Sequence, residues 1–357
     1  MPVSQRYRGG MRSPADDRHD RLPTRRVGRS GLSVSALSLG LWQNFGDGTP
    51  AAAQRELVLH AVDAGVVHFD LANNYGPPPG SAETGFGRLL RTDLARHRHE
   101  LSISTKAGYR QWPGPRGEGG SRGYLLASLD QSLRRLGIDE VDVFYSHRYD
   151  PTTPLEETIG ALATAVSSGR ALYAGISSYS ATRTLEALEV AASLGLPLTV
   201  HQPSYSLLNR WIEEPDGSGR SLMEVAAEAG TGLVTFSPLA QGLLTDTYRD
   251  GVPAHSRAAR GTSFQREYLS EENLASVDRL RGIARERGQS LAQMALAWCL
   301  RDLRVSAVLV GARTTAQLDE NLAALEAAPF SDDELLAIDG AAVDGGLNLW
   351  AARSSAL

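Results

Sequence analysis

Cysteine is almost absent: Cys299 is the only one in the chain. One thiol forms no internal disulfide, and its scarcity fits a reducing cytoplasm. Cys299 lies among Leu291, Met294, Ala295 and Trp298, apolar residues at helical spacing, and reads as a small buried hydrophobe. There is no CxxC, no HExxH and no His/Cys cluster, so no protein-held metal is expected. No window approaches the roughly 18 apolar residues of a membrane helix, so no membrane insertion is expected. No signal-peptide apolar core stands near the start, which speaks against secretion. A basic excess is lacking too. The net charge is -5 over 357 residues, which speaks against a nucleic-acid partner.

What is present is a rhythm. From Ser30 onward, short β-rich runs alternate with longer helical patterns. Eight strand candidates result: Ser35–Gly40, Val67–Ala72, Leu101–Lys106, Val141–His147, Leu172–Ser177, Leu198–Gln202, Gly232–Ser237 and Val305–Gly311. Between them run amphipathic helices, such as Leu155, Ile159, Leu162 and Val166 on one face. Gly65, Gly137, Gly169, Gly195 and Gly230 each stand where a helix gives way to a strand, as left-handed helix ends favour. Alternation of this kind implies parallel strands with crossover helices. Two architectures compete, an open doubly wound sheet and a closed barrel. A doubly wound sheet holding a dinucleotide would carry GxGxxG after its first strand. Here that strand ends Gly40-Leu41-Trp42 without it. Eight units and the missing fingerprint favour an α/β fold of the (β/α)8 TIM-barrel type. A β-hairpin is expected around Arg25–Leu32, ahead of the barrel, and an additional C-terminal helix over Asp332–Ile338. Residues 24–357 read as a single barrel domain. Residues 1–23, rich in arginine and aspartate without apolar periodicity, read as a mobile tail. Thr245–Glu271 reads as a long polar loop over the active face.

Barrel active sites lie at strand C-terminal ends. Strand two ends in Asp70 and runs on to Tyr75, strand three ends in Lys106, and strand four ends in His147. Singly, each has a bland explanation: a turn aspartate, a solvated lysine, a packed tyrosine. Together they suit carbonyl reduction, which needs hydride on carbon and a proton on oxygen. Lys106 starts inside the barrel mouth and needs a partner, since an unpaired buried charge is costly; Asp70 is placed for it. An ammonium beside Tyr75 is expected to lower the phenol toward working pH. His147 would orient the carbonyl.

Asp70, Tyr75, Lys106 and His147 at strand ends resemble the tetrad of the aldo-keto reductase family. The resemblance spans about Thr24 to Trp350. The stretch from Asn73 to Glu83 and the triplet Gly120-Ser121-Arg122 look like the bacterial L-glyceraldehyde 3-phosphate reductases. That branch also contains the β subunits of voltage-gated potassium channels, which have Asn where this chain has His147. The resemblance implies a nicotinamide site. Trp42 would lie beside the nicotinamide, Ser177 and Gln202 would hold its carboxamide, and Phe236 would stack on its ring. Ser237, Pro238, Leu239, Gln241 and Gly242 would pass along the pyrophosphate. Gly311, Arg313, Gln317, Glu320 and Asn321 would surround the adenosine. Read without the family, Phe236 is barrel core and Gln317–Asn321 a solvated helix face. One departure bears on the cofactor: relatives have Lys where this chain has Thr247. Arg257 and Arg313 can still meet a ribose phosphate, so NADPH is favoured and NADH is not excluded.

The implied activity is reduction of a small aldehyde substrate, L-glyceraldehyde 3-phosphate or methylglyoxal-like, by a cytoplasmic homo-oligomer. Trp42, Tyr75, His147 and Arg148 would contact it, and Arg116 and Arg122 are further cations for an anionic substrate. The glycine-rich loop Trp112–Gly120 reads as solvated linker, with a phosphate cradle as the alternative. Two other readings compete: a cofactor-binding regulatory subunit of a membrane channel, and a lyase using Lys106 as a Schiff-base amine.

Overall fold

The computed structural model describes residues 14–254, 256–260, 264–342 and 344–348, the side chains of Arg257 and Arg260 excepted. Two short antiparallel strands, β1 (Thr24–Arg26) and β2 (Ser33–Ser35), form the expected hairpin. Eight parallel strands then close on themselves: β3 (Leu37–Gly40), β4 (His68–Asp70), β5 (Ser102–Ala107), β6 (Val141–Ser146), β7 (Ala171–Ser177), β8 (Leu198–Gln202), β9 (Gly232–Thr235) and β10 (Val305–Val310). They are bonded in chain order, and β10 pairs with β3 to complete the barrel. Every expected strand is present, with each end within two residues of its expected place. The reason is burial on both faces, which writes each strand as a near-continuous apolar run.

The large core lies between the strands and the surrounding helices. A smaller cluster fills the barrel itself: Val143, Tyr145, Val200, Val234, Ala307 and Leu309, joined by Val27, Leu32 and Val34 of the hairpin. The hairpin therefore plugs the N-terminal end of the barrel and leaves the C-terminal end open. Arg25 Nη1 donates to the Val305 carbonyl at 2.9 Å, and the Arg29 N–H donates to the Gly230 carbonyl at 2.9 Å. A side chain at Gly175 would meet the Tyr145 ring at 2.5 Å, so glycine there lets the tyrosine lie inside the barrel.

Helices flank the strands, among them Ser81–Arg91, Arg122–Leu136 and Thr315–Leu322, and Asp332–Ala341 follows the barrel as expected. The five glycines placed at helix ends all have positive φ. Two readings of loops need correction. Residues 14–22 are not a free tail: the Ala15 N–H donates to Asp63 Oδ1 at 3.0 Å, and Arg18 Nη2 donates to Glu100 Oε2 at 2.6 Å. Arg18 and Arg21, two of the arginines that suggest mobility in the sequence, are among its ties to the barrel. Residues 1–13 lie outside the described set. The loop after β5 is also not open linker. The Gly119 N–H donates to the Gly108 carbonyl at 3.0 Å, and the Gly120 N–H to Asp150 Oδ2 at 2.7 Å.

Candidate active site

At the C-terminal end of the barrel, Asp70 closes β4 and Lys106 lies near the end of β5, both almost without solvent exposure. The Lys106 ammonium uses its three N–H groups on Asp70 Oδ2 at 2.5 Å, the Leu71 carbonyl at 2.7 Å and Tyr75 Oη at 3.4 Å. Asp70 Oδ1 accepts from Ser104 Oγ at 2.7 Å and from Gln202 Nε2 at 2.9 Å. Ser104 was not singled out in the sequence, yet it is two residues before Lys106 and so shares its face of β5. Tyr75 sits in the loop from β4 to the helix Ser81–Arg91, which is held where the Tyr75 carbonyl accepts the Gly80 N–H at 3.0 Å. Its ring stands 5.9 Å from His147 and 6.1 Å from Trp42, centroid to centroid. The four residues that chain spacing scatters over the first half of the sequence therefore meet at one point.

Burial dominates their titration. Burial, then the nearby Asp70 charge, raises the Tyr75 phenol well above its ordinary value. The expected lowering by Lys106 is thus corrected: Asp70 neutralises the ammonium, and burial pushes Lys106 itself down. Burial, reinforced by the positive charges of Lys106 and Arg148, holds His147 well below the usual histidine range. At neutral pH the site presents a phenol that keeps its proton and an uncharged imidazole.

A cleft of about 490 Å³ runs from this point along the barrel rim. Trp42, Asp70 and Tyr75 line it from β3 and β4; Phe236, Ser237, Pro238, Leu239, Gln241 and Gly242 from the end of β9. Gly311, Arg313, Gln317, Glu320 and Asn321 line it from β10 and the helix Thr315–Leu322. Ser177 and Gln202 are not among its lining residues: Gln202 reaches it through its bond to Asp70, and Ser177 Oγ donates to the Gln202 carbonyl at 2.8 Å. His147 and Arg148 do not line the cleft but adjoin its Tyr75 end, His147 by its ring against Tyr75 and Arg148 with Nε donating to the Gly108 carbonyl at 3.2 Å. Arg257 begins a short helix, Arg257–Arg260, and its side chain lies outside the described residues. The sequence reading missed Asn44, Tyr248, Ser256 and Ser290–Ala292 as cleft wall. Ser290 was findable, because with Gln293 it forms a capping box at the start of a helix.

The cleft fits a dinucleotide. Ser237, Ala240 and Gln241 adopt positive φ without being glycine, strained backbone of the kind that functional sites retain. Loops after the last two barrel strands, with a short helix start, are where barrels hold phosphate. The aldo/keto reductase family model matches residues 36–343. The chain belongs to the aldo/keto reductase family. Such a reductase is an NAD(P)H-dependent oxidoreductase. The L-glyceraldehyde 3-phosphate reductases of Escherichia coli K12 and O157:H7 are each 55% identical over 342 residues, 95% of this chain and 97% of theirs. A probable voltage-gated potassium channel subunit beta of Oryza sativa subsp. japonica is 40% identical over 315 residues, 87% of this chain and 93% of its own. Among the described residues of this reductase, no group of His, Cys, Asp and Glu could hold a metal, and no helix is long and apolar enough to cross a membrane.

Proposed function

We propose that the chain reduces small aldehydes to alcohols with NADPH, Tyr75 giving the proton, on a substrate such as L-glyceraldehyde 3-phosphate or a methylglyoxal-like aldehyde. The observation that carries this reading is the Tyr75 hydroxyl, 3.4 Å from Lys106 Nζ and with its ring 5.9 Å from that of His147, at the head of a cleft that runs on to Arg313 and Asn321. Bound NADPH supplies the hydride that reaches the carbonyl carbon. His147 donates a hydrogen bond to the carbonyl oxygen and fixes its direction. Tyr75 then passes its proton to that oxygen, and Lys106 stabilises the phenolate left behind. Asp70 holds Lys106 in place. Trp42 and Phe236 supply the aromatic walls of the nicotinamide end, with Gln202 and Ser177 joined to it through Asp70. Ser237–Leu239, Gln241 and Gly242 line the pyrophosphate, and Gly311, Arg313, Gln317, Glu320 and Asn321 the adenosine end. Arg257 and Arg313 are the cations for a ribose phosphate where Thr247 replaces lysine. A cytoplasmic location suits a chain whose one thiol is buried and pushed up to about 12, and self-association is checked by sedimentation.

Titration with NADPH and NADH, followed by turnover of L-glyceraldehyde 3-phosphate and methylglyoxal, tests the reading. Tyr75→Phe should bind NADPH as the native protein does and lose about 100-fold or more in kcat. Tight binding of a reduced cofactor without turnover of any aldehyde would favour the cofactor-binding channel subunit instead, the reading to which the relatives named as potassium channel subunit beta point. Loss of binding to both cofactors would remove the nicotinamide site.

A further inference from the structure

A working histidine ordinarily has one ring nitrogen fixed by a hydrogen bond, which aims the other at its target. His147 Nδ1 is buried and has no hydrogen-bond partner among the described residues. Aromatic packing holds the ring instead. Tyr109, two residues beyond the end of β5, meets it edge-on, 4.7 Å between centroids and at 89°. Tyr109 is braced from behind, since its carbonyl accepts from the Tyr124 hydroxyl, which in turn accepts from Asn73 Nδ2 at 3.0 Å. The same Tyr109 ring carries the Arg148 guanidinium, 5.3 Å from its centroid. Arg148 Nη2 is 3.7 Å from Glu118 Oε2, too long for a hydrogen bond. Glu118 belongs to the glycine-rich loop, and its side chain is 56% exposed. One ring thus sets a carbonyl-binding imidazole beside a guanidinium whose nearest carboxylate is weakly held.

We propose that Tyr109 is a positioning and specificity-determining residue of the aldehyde site, its ring fixing His147 for the carbonyl and Arg148 for an anionic group on the same substrate, with Glu118 the internal anion that this group displaces. The inference rests on the reductase reading above. The substrate class is a short aldehyde with a phosphate or carboxylate near its carbonyl, because a guanidinium pairs with either in a bidentate manner. A neutral aldehyde of the same length gains nothing from Arg148 and leaves Glu118 where it is.

The test compares kcat and KM for glyceraldehyde 3-phosphate and for glyceraldehyde. The native protein should prefer the phosphorylated aldehyde by roughly tenfold or more in kcat/KM, the worth of one charge-assisted hydrogen bond. Tyr109→Leu should lower kcat on both and bring the ratio close to one, while Tyr109→Phe, which keeps the ring, should restore both. Glu118→Gln should lower KM for the phosphorylated aldehyde relative to that for glyceraldehyde. A native protein that reduces both aldehydes equally well, or a Tyr109→Leu variant with the native ratio, overturns the proposal. Should Tyr109→Leu not fold, Glu118→Gln decides, and an unchanged ratio of KM values overturns it. A native protein that reduces neither aldehyde overturns the reductase reading itself, and this inference with it.

Discussion

At the scale of single residues, the energetics of the site turn on one buried ion pair. Lys106 and Asp70 are both removed from water, and each has its hydrogen-bonding capacity taken up by named partners. A pair like this adds little net stability, yet removing one partner strands a charge in a medium that cannot solvate it. Asp70→Asn should therefore cost about 3–5 kcal/mol in urea denaturation. Adding Lys106→Met should recover much of that loss, because no charge is then left stranded. Additive losses in the double variant would show that the pair is not what holds this region. Asp70, Lys106 and His147 stood out in the sequence as polar residues closing apolar runs, whereas Tyr75, in the loop five residues past Asp70, stood out only with them as part of the family pattern. Tyr109 was not legible. Its contacts with His147 and Arg148 join separate strand ends, and nothing local to a tyrosine after a glycine signals a ring that braces two others.

At the scale of elements, apolar strands and helices declare themselves, and segments held by charge do not. β8, Leu198–Gln202, is where the sequence put it, residue for residue, because Leu198 and Val200 are buried along a strand closed on both sides. The segment 14–22 is different. Ala15 is buried, but one alanine makes no periodic signal. Its anchors are Arg18 on Glu100, Arg21 Nη1 on the Asp63 carbonyl and the Ala15 N–H on Asp63. Asp63 and Glu100 precede β4 and β5, so the segment docks at the end of the barrel away from the cleft. A chain starting at Pro23 should lose about 1–3 kcal/mol of stability, the worth of a charge-assisted hydrogen bond, and keep its kcat. A calorimetric scan beside a turnover assay checks both halves. An unchanged melting temperature would mean that the docking is energetically idle, and a fall in kcat would mean that the segment reaches the active face.

At the scale of the whole molecule, folding takes His68 and His201 almost wholly out of water and His147 in part, and the native state keeps all three uncharged. His68 on β4 is pushed down to about 4 and His201 on β8 to about 3, burial being the largest cause in each. Burial and two neighbouring cations hold His147 well below the usual range. In the unfolded chain all three return to the ordinary value of about 6.5. The sign follows: between the folded and unfolded values the unfolded chain binds more protons, so stability rises with pH there and falls as the solution is acidified. Their contribution is complete above about pH 6.5 and is lost progressively as pH falls toward 4, by roughly 1 kcal/mol per pH unit for each histidine. Carboxylates held low by their partners, such as Glu213 and Asp150, act in the same direction at more acid pH, so the histidines govern the upper part of the window. Urea midpoints at pH 7, 6 and 5 should fall steadily. His201 accepts the Tyr179 N–H at 3.3 Å, which an amide can replace, so His201→Gln should remove about a third of the slope over that range. A native midpoint that stays level from pH 7 to 5 would show that water reaches these imidazoles in the folded chain.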